Sequence, residues 1–322
     1  MIKYVIKRLL LMIPLIVCVA VTIFTLMYFV PGDPARIAAG SDAKEEQIAE
    51  IREKMGLNRP YIVRLGDYLG QVFLHFDFGK SLINSSSITQ ALLERFPRTL
   101  FLTLCSLVVT MVIGVPLGIV GAVNPGTWKD SAAIFFSLIA VSIPSFWLAL
   151  MLVIIFALKL KWLPSQGMGG LRYWVLPVIS NSVMGIAMQA RQTRSAMLES
   201  LNSDYIVTCL AKGLSQQEII ARHALPNASI PIITESFFTV SAGVTGALII
   251  ENVFSIPGIG QYLINSVNSL DYTAVQSTVI FIAIVTSLLN LVTDLIYATV
   301  DPRIKASFTS TAKREKKAGG VS

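Results

Sequence analysis

The chain has 322 residues, of which 54% are hydrophobic and only 14% are charged, with a formal net charge of +7. Soluble globular domains carry about 25% charged residues, so this composition argues against a soluble protein. The positive charge does not indicate nucleic-acid binding, because the basic residues stand beside apolar runs, as the positive-inside bias of membrane proteins predicts.

Apolar runs long enough to cross a membrane, which takes about 20 helical residues, recur along the chain. The first is interpreted as a retained anchor, because it is longer than the apolar part of a signal peptide and lacks a small-residue cleavage site. The fourth contains polar residues and is expected to face protein or water. The sequence predicts an all-α, polytopic membrane protein with about six transmembrane helices: Leu9–Val30, Leu100–Val123, Ser131–Leu158, Tyr173–Ala190, Ile230–Phe254 and Ala274–Thr299.

Residues 31–98 form the one sizeable polar segment between the predicted spans. Asp42 with Glu45 matches a capping box that begins a helix, and Gly56 matches a helix stop. A second amphipathic stretch follows from Pro60. We therefore predict a small helical segment outside the membrane, on the extracytoplasmic side.

Charges near the ends of the chain predict its orientation. Basic residues precede the first span and fill the tail of residues 302–322, which places both termini in the cytosol. Termini on one side require an even number of spans, which favours six. The predicted regions are therefore 1–30 (N-terminus and first span), 31–98, 99–301 (five-helix core) and 302–322. One external loop, with Lys159, Lys161 and Arg172, disagrees mildly with this orientation.

The loop at residues 199–228, between the fourth and fifth spans, has the pattern of helix, turn and helix. Such a unit on the cytosolic face is either a rigid knob that passes a push from a soluble partner to the spans or an ordinary connection. The local signals are a cap at Ser203 or Asp204, a left-handed glycine at Gly213, a capping box formed by Ser215 and Glu218, and a stop at Pro226.

This loop resembles the cytosolic EAA loop of binding-protein-dependent ABC importers. Gly213 and the Leu225-Pro226 pair match that pattern, whereas Val207-Thr208-Cys209 stand in place of E-A-A and His223 in place of isoleucine. These departures resemble the peptide/nickel branch of the family. The matching segments are Asp204-Tyr205-Ile206, Thr208, Ala211-Lys212-Gly213-Leu214 and His223-Ala224-Leu225, with Cys209 where alanine is usual.

Segments elsewhere resemble the same branch, and their order and spacing extend the resemblance over nearly the whole chain. They are Pro31-Gly32-Asp33-Pro34, Asp77-Phe78-Gly79-Lys80-Ser81, Arg95-Phe96-Pro97-Arg98-Thr99-Leu100, Ser142-Ile143-Pro144-Ser145-Phe146-Trp147, Glu251-Asn252-Val253-Phe254 with Pro257-Gly258-Ile259-Gly260, and Asp301-Pro302-Arg303.

The resemblance implies the type I ABC importer permease fold in the bacterial inner membrane. It implies peptides as substrate, with nickel chelates, glutathione or another small solute as alternatives. It also implies a second homologous permease subunit, two cytosolic subunits that bind ATP and Mg²⁺, and an extracytoplasmic substrate-binding protein. The loop would dock on an ATPase subunit as a coupling helix through Asp204, Tyr205, Thr208, Ala211, Lys212, Gly213, Leu214, Glu218, His223, Leu225 and Pro226.

No catalytic residue, metal site or cofactor is predicted for the chain itself. Gly79-Lys80-Ser81 imitates the end of a P-loop, but the glycine that a P-loop needs five residues earlier is Leu74. The two histidines and three cysteines lack the spacing of metal ligands. Two alternatives belong to other classes: an intramembrane enzyme and an ion-driven carrier. The sequence shows none of the motifs considered for an intramembrane enzyme, and it shows no inverted repeat that would favour a carrier.

Three carboxylates and a glycine pattern stand inside or beside the spans. A carboxylate in a membrane is a candidate for function, so Glu251 is a candidate for the substrate pathway or its gate, with snorkelling or the capping of a helix as the structural alternative. Glu235 and Asp294 have either a structural or a functional role. Gly114, Gly118 and Gly121 are expected to let two helices approach closely, or to act as hinges.

Overall fold

The computed structural model describes residues 2–40 and 43–300 and is helical throughout, with no strand in these ranges beyond an isolated bridge. Asp42 and the basic tail 302–322 lie outside them. The helices are α1 (Ile2–Phe29), α2 (Pro34–Ala39), α3 (Glu45–Lys54), α4 (Tyr61–Leu74), α5 (Ile88–Val123), α6 (Trp128–Ser142), α7 (Ser145–Leu152), α8 (Val175–Leu201), α9 (Asp204–Ala211), α10 (Gln216–Glu218), α11 (Leu225–Val253), α12 (Ile259–Asn268) and α13 (Tyr272–Val300). Val153–Lys159 and Ile219–Ala224 are π-helical, and Leu171–Tyr173 is a 3₁₀ turn.

Four of the predicted spans are helices that are long and apolar enough to cross a membrane. Within the described ranges they are Arg8–Phe29, Ile88–Val123, Gln216–Val253 and Tyr272–Ile296. The second begins well before the predicted Leu100, because its first turns are amphipathic and bury Ile88 and Leu92 instead of being apolar all round. An apolar run marks only the part of such a helix that faces lipid.

The third predicted span, Ser131–Leu158, corresponds to two helices and not to one. It is a pair, Trp128–Ser142 and Ser145–Lys159, bent by 96° at the intervening residues. Pro144 lacks an N–H, and it forces Ile143 out of the helical region, to φ −86° and ψ 121°. The pair counts as a fifth span if it crosses the membrane as one unit.

The fourth predicted span corresponds to α8, which starts at Val175 and continues to Leu201, well beyond the predicted end at Ala190. Its 27 residues are long enough to span, but it is not among the described helices that are apolar enough. Several of its polar side chains are buried against protein, as expected for a helix of this composition. The fully buried ones are Ser180, Ser182, Gln189 and Thr193.

Two compact units make up the described chain, and each has its own core. The first comprises residues 2–40, 43–103, 149–177 and 244–287. In it α4 packs on α1 through Tyr61 and Tyr68, whose rings lie 5.6 and 5.3 Å from that of Phe24. The predicted stop of α3 is confirmed, since Gly56 has φ +64°. The core of this unit contains Ile16, Ala20, Val72, Phe78, Ile88, Leu92, Ile259, Ala274 and Ile280.

The second unit comprises residues 104–148, 178–243 and 288–300 of the described chain. Its centre is the contact between α5 and α8, where Asn181 donates to the Ser106 hydroxyl at 3.1 Å. A Cβ on Gly114 would lie 3.0 Å from the Ile186 carbonyl oxygen, so the predicted close approach of two helices is confirmed at this glycine. Gln189 joins α8 to α11, because it donates to the Ile232 carbonyl at 3.2 Å and accepts from Ser236 at 3.1 Å.

Candidate coupling segment

Residues 204–226, hereafter the coupling segment, begin with α9 and a tight turn. Gly213 has φ +77°, the left-handed conformation that was predicted. Its N–H donates to Leu210, and the next N–H, of Leu214, donates to Cys209, at 2.9 and 3.3 Å. This pair of bonds is a Schellman motif, which satisfies carbonyls at the end of a helix and fixes the direction of the exit chain.

The caps of the segment differ in part from those predicted. Ser203 occupies the N-cap position of α9, but its hydroxyl donates back to the Glu199 carbonyl at 3.0 Å and does not cap. Ser215 caps α10 as predicted, since its hydroxyl oxygen accepts the Glu218 N–H at 3.3 Å. The reciprocal half of the capping box is replaced by an ion pair of Glu218 with Arg222, at 2.8 Å.

The second predicted helix does not stop at Pro226. From Gln216 the chain is helical without interruption to Val253, through the π-helical turn Ile219–Ala224 into α11. Pro226 closely follows that π-helical turn and lies inside the continuous helix, which passes through the proline instead of ending there. The segment is therefore one short helix and the start of a long one.

A buried cluster fixes the inner side of the coupling segment to the ends of α8 and α11. Ile206 and Ile219 from the segment are 5% and 3% exposed, and Met197 from α8 is fully buried. The remaining buried members of this cluster are Ala122, Ala196, Ala224, Ala228 and Ile232. Apolar contact on this scale holds α9 at a fixed angle to the helices that it joins.

Hydrogen bonds through Tyr205 reinforce the cluster. The Tyr205 hydroxyl pairs with the Ser200 hydroxyl at the end of α8 and accepts from Asn227 of α11 at 3.2 Å. Ser200 in turn donates to the Ala224 carbonyl at 3.0 Å. Three helices, α8, α9 and α11, are therefore tied together at one point.

The outer side of the segment is exposed and partly apolar. Val207 and Leu210 of α9 are 66% and 59% exposed. The predicted docking residues divide between the two sides. Leu214, Glu218, His223 and Leu225 are half-buried, whereas Asp204, Tyr205, Thr208, Ala211, Lys212, Gly213 and Pro226 are exposed.

Sequence reasoning did not predict a docking role for Val207 or Leu210, and it did not single out Ser200 or Asn227. A signal for the first two was present, because an eight-residue helix with Ile206, Val207, Cys209 and Leu210 cannot turn all four toward one side. Ser200 and Asn227 could not be found in this way, since their roles depend on contacts between separate helices.

The other predicted site residue, Glu251, lies at the end of α11 in the first unit. Its carboxylate is fully buried and accepts the N–H groups of Gly260 and Gln261 at 2.7 and 3.3 Å. It therefore caps α12. Glu235 and Asp294 are half-buried, on α11 and α13. A role of Glu251 in the pathway or gate stays a prediction.

Comparison with known proteins places the chain in a family. Residues 114–306 match the family described as binding-protein-dependent transport system inner membrane component. Residues 1–103 match the N-terminal region described for the same kind of membrane component. The chain belongs to this family of multi-pass inner-membrane permease subunits of ABC importers, as its sequence motifs predicted.

Relatives cover almost the entire chain. A permease protein of Brucella abortus named for a peptide transport system is 37% identical over 94% of this chain and 98% of its own length. A glutathione transport system permease protein of Salmonella typhimurium is 35% identical over 95% and 99%. A dipeptide transport system permease protein of Alkalihalophilus pseudofirmus is 36% identical over 95% and 100%.

A solved structure confirms the fold. The inward-facing MetNI methionine ABC transporter matches with a TM-score of 0.56 and 21% identity over 66% of this chain and 97% of that one. The prediction of an all-α, polytopic permease fold is therefore correct, and the chain is a transport subunit.

Proposed function

We propose that this permease subunit imports peptides, and that ATP hydrolysis in a partner subunit drives it through the coupling segment. The segment supports this proposal by its two-sided construction. One side is tied to α8 and α11 by the cluster around Met197 and by the Tyr205 hydrogen bonds. The other side exposes Val207 and Leu210, apolar side chains that a partner could cover.

The remaining parts of the proposed importer follow from the family. A second permease subunit completes the path, two cytosolic subunits bind ATP and Mg²⁺, and an extracytoplasmic protein delivers the substrate. The chain itself holds no cofactor, and its termini lie in the cytosol. Peptides are favoured because relatives named for peptide, dipeptide and glutathione transport match nearly its full length.

The decisive experiment uses the complex purified with its ATPase subunits and reconstituted in liposomes with the binding protein. Gly213→Val should abolish substrate-stimulated ATP hydrolysis, because a β-branched residue resists the left-handed conformation. Gly213→Asn should retain most of the stimulation, since asparagine tolerates it. Gly40→Val is the matched control: Gly40 has φ +86° and, like Gly213, nothing within 4 Å of its Cβ position. Substrate uptake without any ATPase subunit would refute the proposal.

Substrate and orientation need separate measurements. Uptake of a labelled dipeptide, with unlabelled glutathione as competitor, distinguishes a general peptide importer from a glutathione importer. Orientation is tested in a variant whose three cysteines are replaced by serine. A cysteine at the exposed Asn202 should react with an impermeant maleimide only from the cytosolic side, and one at Asn84 only from outside. The reverse pattern would contradict the proposed orientation.

A further inference from the structure

A buried ion pair joins α6 to α8 in the second unit. Arg194 donates from Nε to Asp130 Oδ1 at 2.5 Å and from its terminal nitrogen to Oδ2 at 2.7 Å. The side chain of Asp130 is only 5% exposed and that of Arg194 28%. Two parallel bonds between a guanidinium and a carboxylate fix the orientation of both groups, which a single contact does not.

The pair also holds the loop that connects α5 to α6. Asp130 Oδ2 accepts the N–H of Gly126 at 3.0 Å. On the opposite side, a Cβ on Gly121 of α5 would lie 3.3 Å from Asp130 Oδ1 and 3.3 Å from Arg194 Cδ. The pair therefore lies where α5, α6 and α8 meet, and removing Arg194 would leave the buried Asp130 carboxylate without its counter-charge, which is costly.

Arg194 stands on α8 at this junction, shortly before the residues that hold the coupling segment. One turn further along the same helix, Met197 and Ala196 belong to the buried cluster beneath the segment, and Ser200 pairs with Tyr205. Among the described residues that form this cluster, none belongs to α6. Within that cluster, the coupling segment therefore makes no apolar contact with α6.

We propose that the Asp130–Arg194 ion pair makes α6 move as one body with α8 and the coupling segment. Asp130 and Arg194 are then positioning residues that transmit ATP-driven displacement to the helix preceding the Pro144 bend. This inference rests on the proposed function, since it describes how an ATP-driven displacement of the coupling segment reaches α6.

The test measures uptake per ATP hydrolysed in the reconstituted complex. Asp130→Asn should retain copurification with the ATPase subunits and basal hydrolysis, while uptake per ATP falls about tenfold, inside the range typical of coupling between sites. Arg194→Gln should have the same effects on copurification, basal hydrolysis and uptake per ATP. Arg194→Lys should recover part of the loss, because it keeps the charge but not the paired geometry. Arg191→Gln is the matched control, one turn earlier on the same helix, exposed, and in contact with the Met188 sulfur.

A distance measurement separates transmission from mere stability. Spin labels at Phe136→Cys on α6 and Glu199→Cys on α8, both exposed positions, should keep one separation in the nucleotide-free and ATP-bound complexes. In the Arg194→Lys and Asp130→Asn backgrounds that separation should change or broaden between the two states. An unchanged separation in both variants, or unchanged uptake per ATP, would overturn the inference. If Gly213→Val has no effect, the proposed function fails instead.

Discussion

Gly118 of α5 lies against Ala190 of α8 so closely that a Cβ on Gly118 would stand 2.5 Å from the Ala190 carbonyl oxygen. The same Cβ would lie 2.5 Å from Thr193 Cβ. Backbone and a β-branched side chain cannot yield as the end of a flexible side chain would. The glycine is therefore required by the packing of these two helices.

Gly118→Ala should lower the free energy of unfolding by about 1–3 kcal/mol, the usual cost of overpacking. Gly70→Ala is the control, because Gly70 lies within α4 and a Cβ there would meet nothing within 4 Å. That change should stabilise the protein by about 0.5–1 kcal/mol. Thermal unfolding in detergent measures both, and equal midpoints for the two variants would contradict the packing role of Gly118.

Glu251→Ala should destabilise the first unit by about 2 kcal/mol, since the buried N–H groups of Gly260 and Gln261 lose their acceptor. Glu251→Gln should cost less, because both N–H groups bond to the single oxygen Oε2 and an amide oxygen can still accept them. Hydrogen exchange of α12 reports the loss directly. If Glu251→Ala abolished uptake while exchange in α12 stayed unchanged, the residue would act in the pathway and not as a cap.

Tyr205→Phe tests the hydrogen bonds that tie the coupling segment to α8 and α11. Loss of its hydroxyl should cost about 1 kcal/mol of stability and also reduce uptake per ATP hydrolysed. Tyr61→Phe is the control, since the Tyr61 hydroxyl pairs with Thr25 at 2.7 Å in the first unit. It should lower stability similarly and leave uptake per ATP unchanged. Equal uptake losses in both variants would show an effect of stability alone.

Acid should weaken the contact between α2 and α3. Partial burial alone would raise the pKa of Asp33, but hydrogen bonds from Arg52 and the Ala35 N–H lower that pKa by a larger amount. The pKa of Asp33 is therefore below its usual value. The resulting stability is present above the ordinary aspartate pKa of about 3.9 and is lost as pH falls through the folded-state pKa. Asp33→Asn should therefore lower the unfolding midpoint at pH 6 and much less at pH 3. An equal difference at both values would exclude this ion pair as the cause.

Local features of the coupling segment could be predicted from sequence, and relations between distant residues could not. The left-handed conformation of Gly213 follows from glycine's lack of a Cβ and needs no partner. The bonds from Tyr205 to Ser200 and Asn227 depend on the packing of three helices. The stop predicted at Pro226 was wrong because a helix can continue through a proline, and here the proline closely follows a π-helical turn within a continuous helix.

The same contrast between local features and distant contacts applies to the membrane-spanning helices. Apolar runs located the helices that face lipid, whereas α8 was harder to bound, because it buries polar side chains against other helices. Gln189, for example, is fully buried and bonds to Ile232 and Ser236. The ion pair of Asp130 and Arg194 joins positions 64 residues apart, a separation at which a single sequence carries no pairing signal.

The bend at Pro144 determines what can surround that part of the protein. Pro144 offers no N–H to the Ala140 carbonyl, and the first N–H groups of α7 have no acceptor within their own helix. Val141, Ser142 and Pro144 are exposed in this chain. Hydrocarbon cannot hydrogen-bond to such a backbone. Water or another protein chain, and not lipid tails, is therefore the expected environment of the bend.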